Sequence, residues 1–360
     1  MKKFIIRILL TINYIVIAAM LLTGFANHLN PNTWGWIAMA GYGFQFALLA
    51  NLIMIVVWVF ISLKRVIIPF LGMVVCYVPV TLFCPINLEK TAPEDCIRVL
   101  SYNTWGWGGA YAKDNNLDEG EMRRDMMAYL RGVDADIMCF QETQYKPYIA
   151  ADIDTILPSH IYRDTITNEH GDCLLILSKY PVTHKERIFY PSQGNLSGVF
   201  TVDVKGREVL VVSNHFETNS FSIEEKERFS SVIHGDEGKR AIASESRFVA
   251  GKLTSAAKRR APQAEIVADF IRKHQSRPII VCGDFNDIPL SYTHQKMAEN
   301  LTDCYQKSGF GPGFSYHKNS MHVRIDNILC TNHFEPYNCK VDNTIALSDH
   351  YPIICDLKLQ

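Results

Sequence analysis

The first 88 residues contain no Asp or Glu, and their only formal charges are Lys2, Lys3, Arg7, Lys64 and Arg65. Three apolar runs fill this stretch, at about 4–26, 36–63 and 66–88. Each reaches the roughly 20 residues needed to cross the hydrocarbon core of a bilayer. A cleaved signal peptide would have a shorter apolar core, about 7–15 residues, and no further spans behind it. The third run is interrupted by Pro69 and Pro79 and reads as kinked or partly re-entrant.

The basic residues set the expected orientation. Lys2, Lys3 and Arg7 flank the first run and Lys64 with Arg65 separate the second from the third, while the connection 27–35 (NHLNPNTWG) carries no formal charge. By the positive-inside rule both basic ends are cytoplasmic, so three crossings leave everything after residue 88 outside. The expectation is an integral membrane protein with an external C-terminal domain; in a bacterium that means the inner membrane and the periplasm.

Residues 89–95 form a short polar linker, and the remaining domain is expected over 96–360. Beyond residue 88 the chain has 31 Lys and Arg against 37 Asp and Glu, a net charge of −6. That balance does not suit a protein built to coat nucleic acid. Apolar runs of four to six residues alternate with helical stretches. IRVLSYN, DIMCFQE, DCLLILSK, GVFTVDV, EVLVVSNH, PIIVCGDF, RIDNILC and HYPIICDLKL read as strands, and EGEMRRDMMAYLRGV and PQAEIVADFIRKHQ as helices. Many short strands with interleaved helices imply a mixed α/β domain. Residues 219–262 break the rhythm as a long polar insertion, acidic first; from Lys239 to Arg260 it has seven Lys or Arg against one acid, Glu245. It reads equally as a solvated helix or as a substrate lid. Of the ten cysteines, Cys139, Cys282, Cys330 and Cys355 sit singly in apolar runs and read as core thiols, with a bridge among the others left open.

Polar residues gather where the strands begin or end. Asn103 closes SYN, Glu142 follows CFQ, His215 closes VSNH, and CGDFND supplies Asp284, Asn286 and Asp287. Asp326 lies in RIDNIL, and Asp349 with His350 lie in LSDHYP. Taken singly, each is an ordinary turn or structural residue. Gathered at the rim of one core they are costly unless they meet one another, a metal or a ligand.

The ordered set SYN, QE, ILSKYPV, NHF, GDFND, RIDNIL and SDHYP resembles the endonuclease/exonuclease/phosphatase family. This is the superfamily of DNase I, apurinic endonucleases, neutral sphingomyelinases and inositol polyphosphate 5-phosphatases, and the resemblance covers about residues 96–360. It implies a four-layer α/β/β/α sandwich, here preceded by the transmembrane helical region. The departures are the aromatic TWGWGGAY after Asn103, the insertion 219–262, and Phe216 after the histidine. The resemblance further implies a Mg²⁺ (or Mn²⁺) ion held chiefly by Glu142, with Asn103 and Asp349 as additional or water-mediated ligands. Asp284 would deprotonate the attacking water, Asn286 would position it, and His215 and His350 would donate to phosphate oxygens, with Asp326 orienting His350.

The expected activity is therefore a membrane-tethered, metal-dependent phosphodiesterase acting on a lipid or nucleic acid. The alternatives are a phosphomonoesterase of inositol-type phosphates and an inactive membrane-anchored binding protein; the second would have lost site residues, and here none is missing. Trp105, Trp107 and Tyr111 are candidates for base stacking, and packing under the first loop explains the two tryptophans equally well.

Overall fold

A computed structural model describes residues 2–219, 221–222, 224–225, 239–318 and 321–360. Among the described residues, twelve strands form two six-stranded sheets. The first has the order β11-β12-β1-β2-β4-β3 and the second β5-β6-β7-β8-β10-β9. The strands are β1 Ile97–Asn103, β2 Ile137–Gln141, β3 Tyr162–Thr167, β4 Cys173–Ser178, β5 Val182–Ile188, β6 Leu196–Val204, β7 Arg207–His215, β8 Ile279–Asp284, β9 Thr302–Asp303, β10 Asp326–Cys330, β11 Phe334–Val341 and β12 Ile353–Leu359.

Both faces of the inner strands are buried, which is why they read as continuous apolar runs rather than alternating ones. In β1, Ile97 and Val99 join a core shared with Phe200, Val211 and Ile280 of the second sheet. Leu100 and Tyr102 point the other way, toward Met126, Leu130 and Ile153 of the helices Glu119–Val133 and Pro147–Ile156. On the far side, Val212 and Val281 pack on Ala264, Val267 and Ile271 of the helix Lys239–His274. Helix, sheet, sheet and helix are the four expected layers.

Lys239–His274 is one helix of 36 residues with Pro262 inside it. The basic half of the expected insertion is thus continuous with the stretch PQAEIVADFIRKHQ. The side chains of Lys239 and Arg240, and residues 226–238 of the acidic half, lie outside the described residues.

Among the described residues, two helices are long and apolar enough to cross a membrane, Lys3–His28 and Pro31–Ile61, and a third pair, Leu63–Val75 with Tyr77–Phe83, is bent by 70°. The first two run antiparallel: Trp58 donates its Nε1–H to Asn13 Oδ1 at 2.7 Å near one end, and Gly43 lies against Thr23 near the other. The Trp58–Asn13 bond satisfies the indole donor between two apolar helices, while the Asn13 amide nitrogen is buried without a partner. The bent pair climbs alongside them. Asn51 donates to the Pro69 carbonyl at 3.0 Å, Gly72 abuts Ile17, and Pro79 abuts Gly24. The bend therefore redirects the chain without returning it to the end where Lys64 and Arg65 lie.

The opposite end of this helical region is packed onto the α/β domain. Met20, Phe44, Leu48 and Leu82 form one cluster with Ile288 and Leu290. Gly41 approaches so closely that a Cβ there would lie 2.2 Å from the Leu290 carbonyl oxygen. Asn27 donates to Gln295, Asn30 to Glu265, and Arg324 to the Leu82 carbonyl. All ten cysteines are free thiols, and Cys139, Cys282, Cys330 and Cys355 are fully buried.

Candidate active site

Strand register brings the polar residues together. β1 and β2 are parallel with Asn103 opposite Gln141, so Glu142 emerges beside Asn103. β7 and β8 are parallel with His215 opposite Asp284, and antiparallel β10 sets Asp326 opposite Asp284. Gly283 permits this packing: at φ +126° its missing Cβ would fall 2.0 Å from the Asn214 carbonyl oxygen. Glu142 and Asn286 adopt left-handed backbone, at φ +47° and +53°. Asn tolerates that region through its short polar side chain, whereas Glu pays steric strain of the kind found at functional sites.

Asp284 is the centre of the cluster and is 1% exposed. Its Oδ1 accepts the Asn286 backbone N–H at 2.7 Å, and its Oδ2 accepts from the side-chain amides of Asn103 and Asn286, both at 3.2 Å. Burial raises its pKa to about 6, helped by Asp326 and opposed by His350 and His215. The carboxylate is therefore ionised at neutral pH yet more basic than one in water.

Two histidines face Asp284 Oδ2 with their Nε2 atoms, His350 at 3.7 Å and His215 at 3.9 Å. Each has a carboxylate behind its Nδ1: Asp326 at 2.8 Å for His350 and Asp172 at 2.7 Å for His215. Burial alone would favour neutral rings. The surrounding carboxylates outweigh it and raise both pKa values to about 10, chiefly Asp326 and Asp284 for His350, and Asp172, Glu142 and Asp284 for His215. Both are imidazolium ions at neutral pH and offer charged donors to an anionic phosphate.

Glu142 has a side chain 36% exposed, and its Oε1 accepts from Asn103 at 3.0 Å. Asp349 lines the same cavity as Glu142. These are hard oxygen donors open to solvent, the type that Mg²⁺ takes while keeping several waters. Asn103 turns its amide nitrogen, not its oxygen, toward both carboxylates, while its oxygen accepts the Trp105 N–H at 3.2 Å. Direct ligation through that oxygen would need the amide to rotate. Asp284, Asp326 and His350 also place ligand-type atoms within 4.8 Å of one another. His350 Nδ1 is already bonded to Asp326 at 2.8 Å, and Asp284 Oδ2 is held by the side-chain amides of Asn103 and Asn286.

Seven of the eight expected residues, Asn103, Glu142, His215, Asp284, Asn286, Asp326 and His350, thus form one polar cluster, with Asp349 on the cavity wall beside it. Asp172 and Asn195 were not expected there. Asp172 orients His215, and the Asn195 side-chain amide lies against Nε2, its nitrogen at 2.9 Å; with the ring protonated, the amide must turn its oxygen to that position to accept. Both precede antiparallel strands, β4 and β6, so their strands start at the rim where β2 and β7 end.

Other motif residues are structural. Asp287 is 1% exposed and ion-paired with fully buried Arg260, whose Nη2 lies at 3.1 Å; it also accepts from Tyr42 Oη at 3.1 Å and Thr293 Oγ1 at 2.9 Å. Arg259 pairs with Glu217, Lys252 with Glu225 and Arg260 with Asp287, so three of the seven basic residues from Lys239 to Arg260 are held by internal partners. Arg324 pairs with Asp303 rather than Asp326. The tryptophans divide: Trp107 is buried against Phe140 and donates its Nε1–H to the Gln144 carbonyl, while Trp105 faces the cavity with Lys318 over its ring.

Solved structures share this fold at low identity. An endonuclease/exonuclease/phosphatase family protein from Bacteroides thetaiotaomicron aligns at a TM-score of 0.52 and 18% identity, over 75% of this chain and all of that one. A mannosyl-6-phosphatase from Bacteroides thetaiotaomicron VPI-5482 aligns at 0.53 and 18%, over 73% of this chain and all of that one. The human Nocturnin catalytic domain aligns at 0.51 and 16%, over 76% of this chain and 96% of that one. No curated protein matches the sequence. A domain of unknown function matches residues 6–83 of the helical region. The Endonuclease/Exonuclease/phosphatase family model matches residues 100–350, which include every residue of the cluster, and the chain belongs to that family of phosphoester hydrolases.

Proposed function

We propose that the protein is a membrane-tethered, divalent-metal-dependent phosphodiesterase that cleaves a lipid or nucleic-acid diester by in-line attack of water. The observation that carries this reading is the buried Asp284 carboxylate, faced at 3.7 and 3.9 Å by His350 and His215, each with a second carboxylate behind its Nδ1. Asp284 takes a proton from the attacking water while Asn286, fixed by its own N–H to Asp284, holds that water on line. His215 and His350 donate to the non-bridging oxygens and gain strength as charge develops there. Asp172 and Asp326 keep both rings charged and turned so that Nε2 faces the substrate. A Mg²⁺ or Mn²⁺ ion on Glu142, with Asp349 and Asn103 nearby, would supply Lewis-acid stabilisation of the phosphoryl group.

The end of the helical region to which the domain is docked supports an external location. Its contacts come from residues 20–48 and 79–87, whereas Lys3, Arg7, Lys64 and Arg65 belong to the opposite end of the helical region. The bent third pair, climbing beside the first two helices, makes a third crossing. The test of the activity uses the full chain in detergent with bis(4-nitrophenyl) phosphate. Turnover should be lost with chelator and restored by Mg²⁺ or Mn²⁺. Undiminished turnover in excess chelator would remove the metal from the reading.

A further inference from the structure

The cavity over the catalytic cluster, about 640 Å³ in volume, has two unlike walls. One carries Glu142, Asp284, Asn286, Asp349 and His350; the other carries Tyr42 and Phe46 of the membrane region, Val249 and Leu253 of the long helix, and Phe314 and Met321. The membrane segment is thus part of the site. Phe46 is 68% exposed and begins a stripe of exposed apolar residues on the same helix, Leu49, Ile53, Val56 and Phe60, at intervals of three and four. That spacing keeps one helix face, so the cavity lip runs directly into the surface that would meet lipid. The described cavity lining contains no Lys or Arg. A nucleic-acid groove needs such groups along a repeating polyanion; a single phosphoester needs only the donors of the His350 and His215 rings that face Asp284.

On the other side of Trp105 and Glu142 lies a second cavity of about 420 Å³, which shares those two residues with the first. Its lining is polar and includes Lys113, Arg123, Lys146 and Tyr148. An apolar cavity and a polar one therefore meet at the catalytic cluster.

We infer that the substrate is a lipid phosphodiester drawn from the bilayer, its aliphatic arm along the Tyr42–Phe46–Val249–Leu253 wall and its polar headgroup beyond Trp105. The inference rests on the phosphodiesterase reading above and names its substrate class. The reaction is hydrolysis: the water oxygen bonds to phosphorus, and the P–O bond to one arm breaks with its electron pair. The proton taken by Asp284 is balanced by one gained on the leaving oxygen, giving an alcohol and a phosphate monoester. The membrane region would then present the substrate as well as hold the enzyme.

The test compares methyl 4-nitrophenyl phosphate with hexadecyl 4-nitrophenyl phosphate, using the full chain with Mg²⁺ in one detergent. Both esters release the same chromophore, so only the aliphatic arm differs. The hexadecyl ester should have a KM lower by at least roughly tenfold, an effect that burial of two methylenes already supplies. In Phe46→Ala and Val249→Ser the hexadecyl-to-methyl ratio of kcat/KM should fall toward unity. A ratio near unity in the unmodified protein, or one the two variants leave unchanged, would overturn the tail site and leave the hydrolase standing. Hydrolysis of a single-stranded oligonucleotide in preference to the hexadecyl ester would assign the site to nucleic acid. No turnover of either ester would overturn the phosphodiesterase reading itself, and the inference with it.

Discussion

Replacing Asp326 with Asn keeps the shape and the hydrogen bond to His350 Nδ1 but removes the charge. Asp326 is fully buried, 2.8 Å from that nitrogen, and is the largest of the influences that hold the ring protonated against burial. Without it, His350 should fall from about 10 to the ordinary histidine value or below. If the pKa reaches about 6.5, the charged fraction at pH 8 drops from about 0.99 to about 0.03. The expected loss in kcat/KM is then about 30-fold at pH 8 but less than about twofold at pH 6. The assay is kcat/KM for bis(4-nitrophenyl) phosphate from pH 6 to 9 at saturating Mg²⁺, with variant and unmodified protein compared at each pH. Stability should follow the same linkage. A histidine raised in the folded state contributes stability that is fully present below about 6.5 and is lost as pH rises through about 10. The variant should accordingly show a flatter dependence of Tm on pH across that window. An equal loss of activity at pH 6 and pH 8 would refute the reasoning, because it would make Asp326 a packing residue rather than the source of His350's charge.

Asp284→Asn should lower kcat by about 10²–10⁴-fold, the usual contribution of a general base. It should leave Tm at pH 8 no lower, because the folded pKa near 6 makes the ionised carboxylate a destabilising element once pH rises through that value; a steep fall in Tm would recast Asp284 as structural. Arg260→Met strands Asp287 in a site where both partners are essentially inaccessible, and should cost about 3–5 kcal/mol in thermal unfolding of the detergent-solubilised chain. Adding Asp287→Leu should recover most of that, and a single-variant loss under about 1 kcal/mol would mean the pair is hydrated. Reporter fusions after residues 30 and 360 should register on the external side and a fusion after residue 65 on the cytoplasmic side; a cytoplasmic signal at residue 360 would mean that the bent third pair does not cross.

Every strand read from the sequence lies inside a sheet, and the four that were not read, β3, β5, β9 and β11, are the four sheet edges. An edge strand pairs on one side only and need not bury both faces. β5, VTHKERI, has four consecutive exposed residues and carries no apolar run to detect. The site shows the same logic. Asn103, Glu142, His215 and Asp284 were found because they follow apolar strands, whereas Asp172 and Asn195 were missed because they precede them. In an antiparallel pair, the start of one strand and the end of its neighbour share a rim. The join between the N-terminal apolar helices and the α/β domain had no local signal, since Tyr42 and Asp287 are 245 residues apart in the chain.

That join changes the meaning of the GDFNDIP stretch. Asp284 faces the reaction, Asn286 fixes its geometry, and Asp287 turns away to bind Tyr42 of the membrane region and Arg260 of the long helix. Immediately afterwards Ile288 and Leu290 enter the cluster with Met20, Phe44 and Leu48. One short loop is thus clamped between the polar cluster and the N-terminal helices, so those helices form part of the scaffold that sets the loop. A fragment beginning at residue 89 would expose Ile288 and Leu290 and strip Asp287 of its tyrosine donor. We expect such a fragment to aggregate or to turn over bis(4-nitrophenyl) phosphate far more slowly than the full chain in detergent. A soluble, monomeric fragment with the full chain's kcat would show that the helices are a tether and that the loop holds its shape alone.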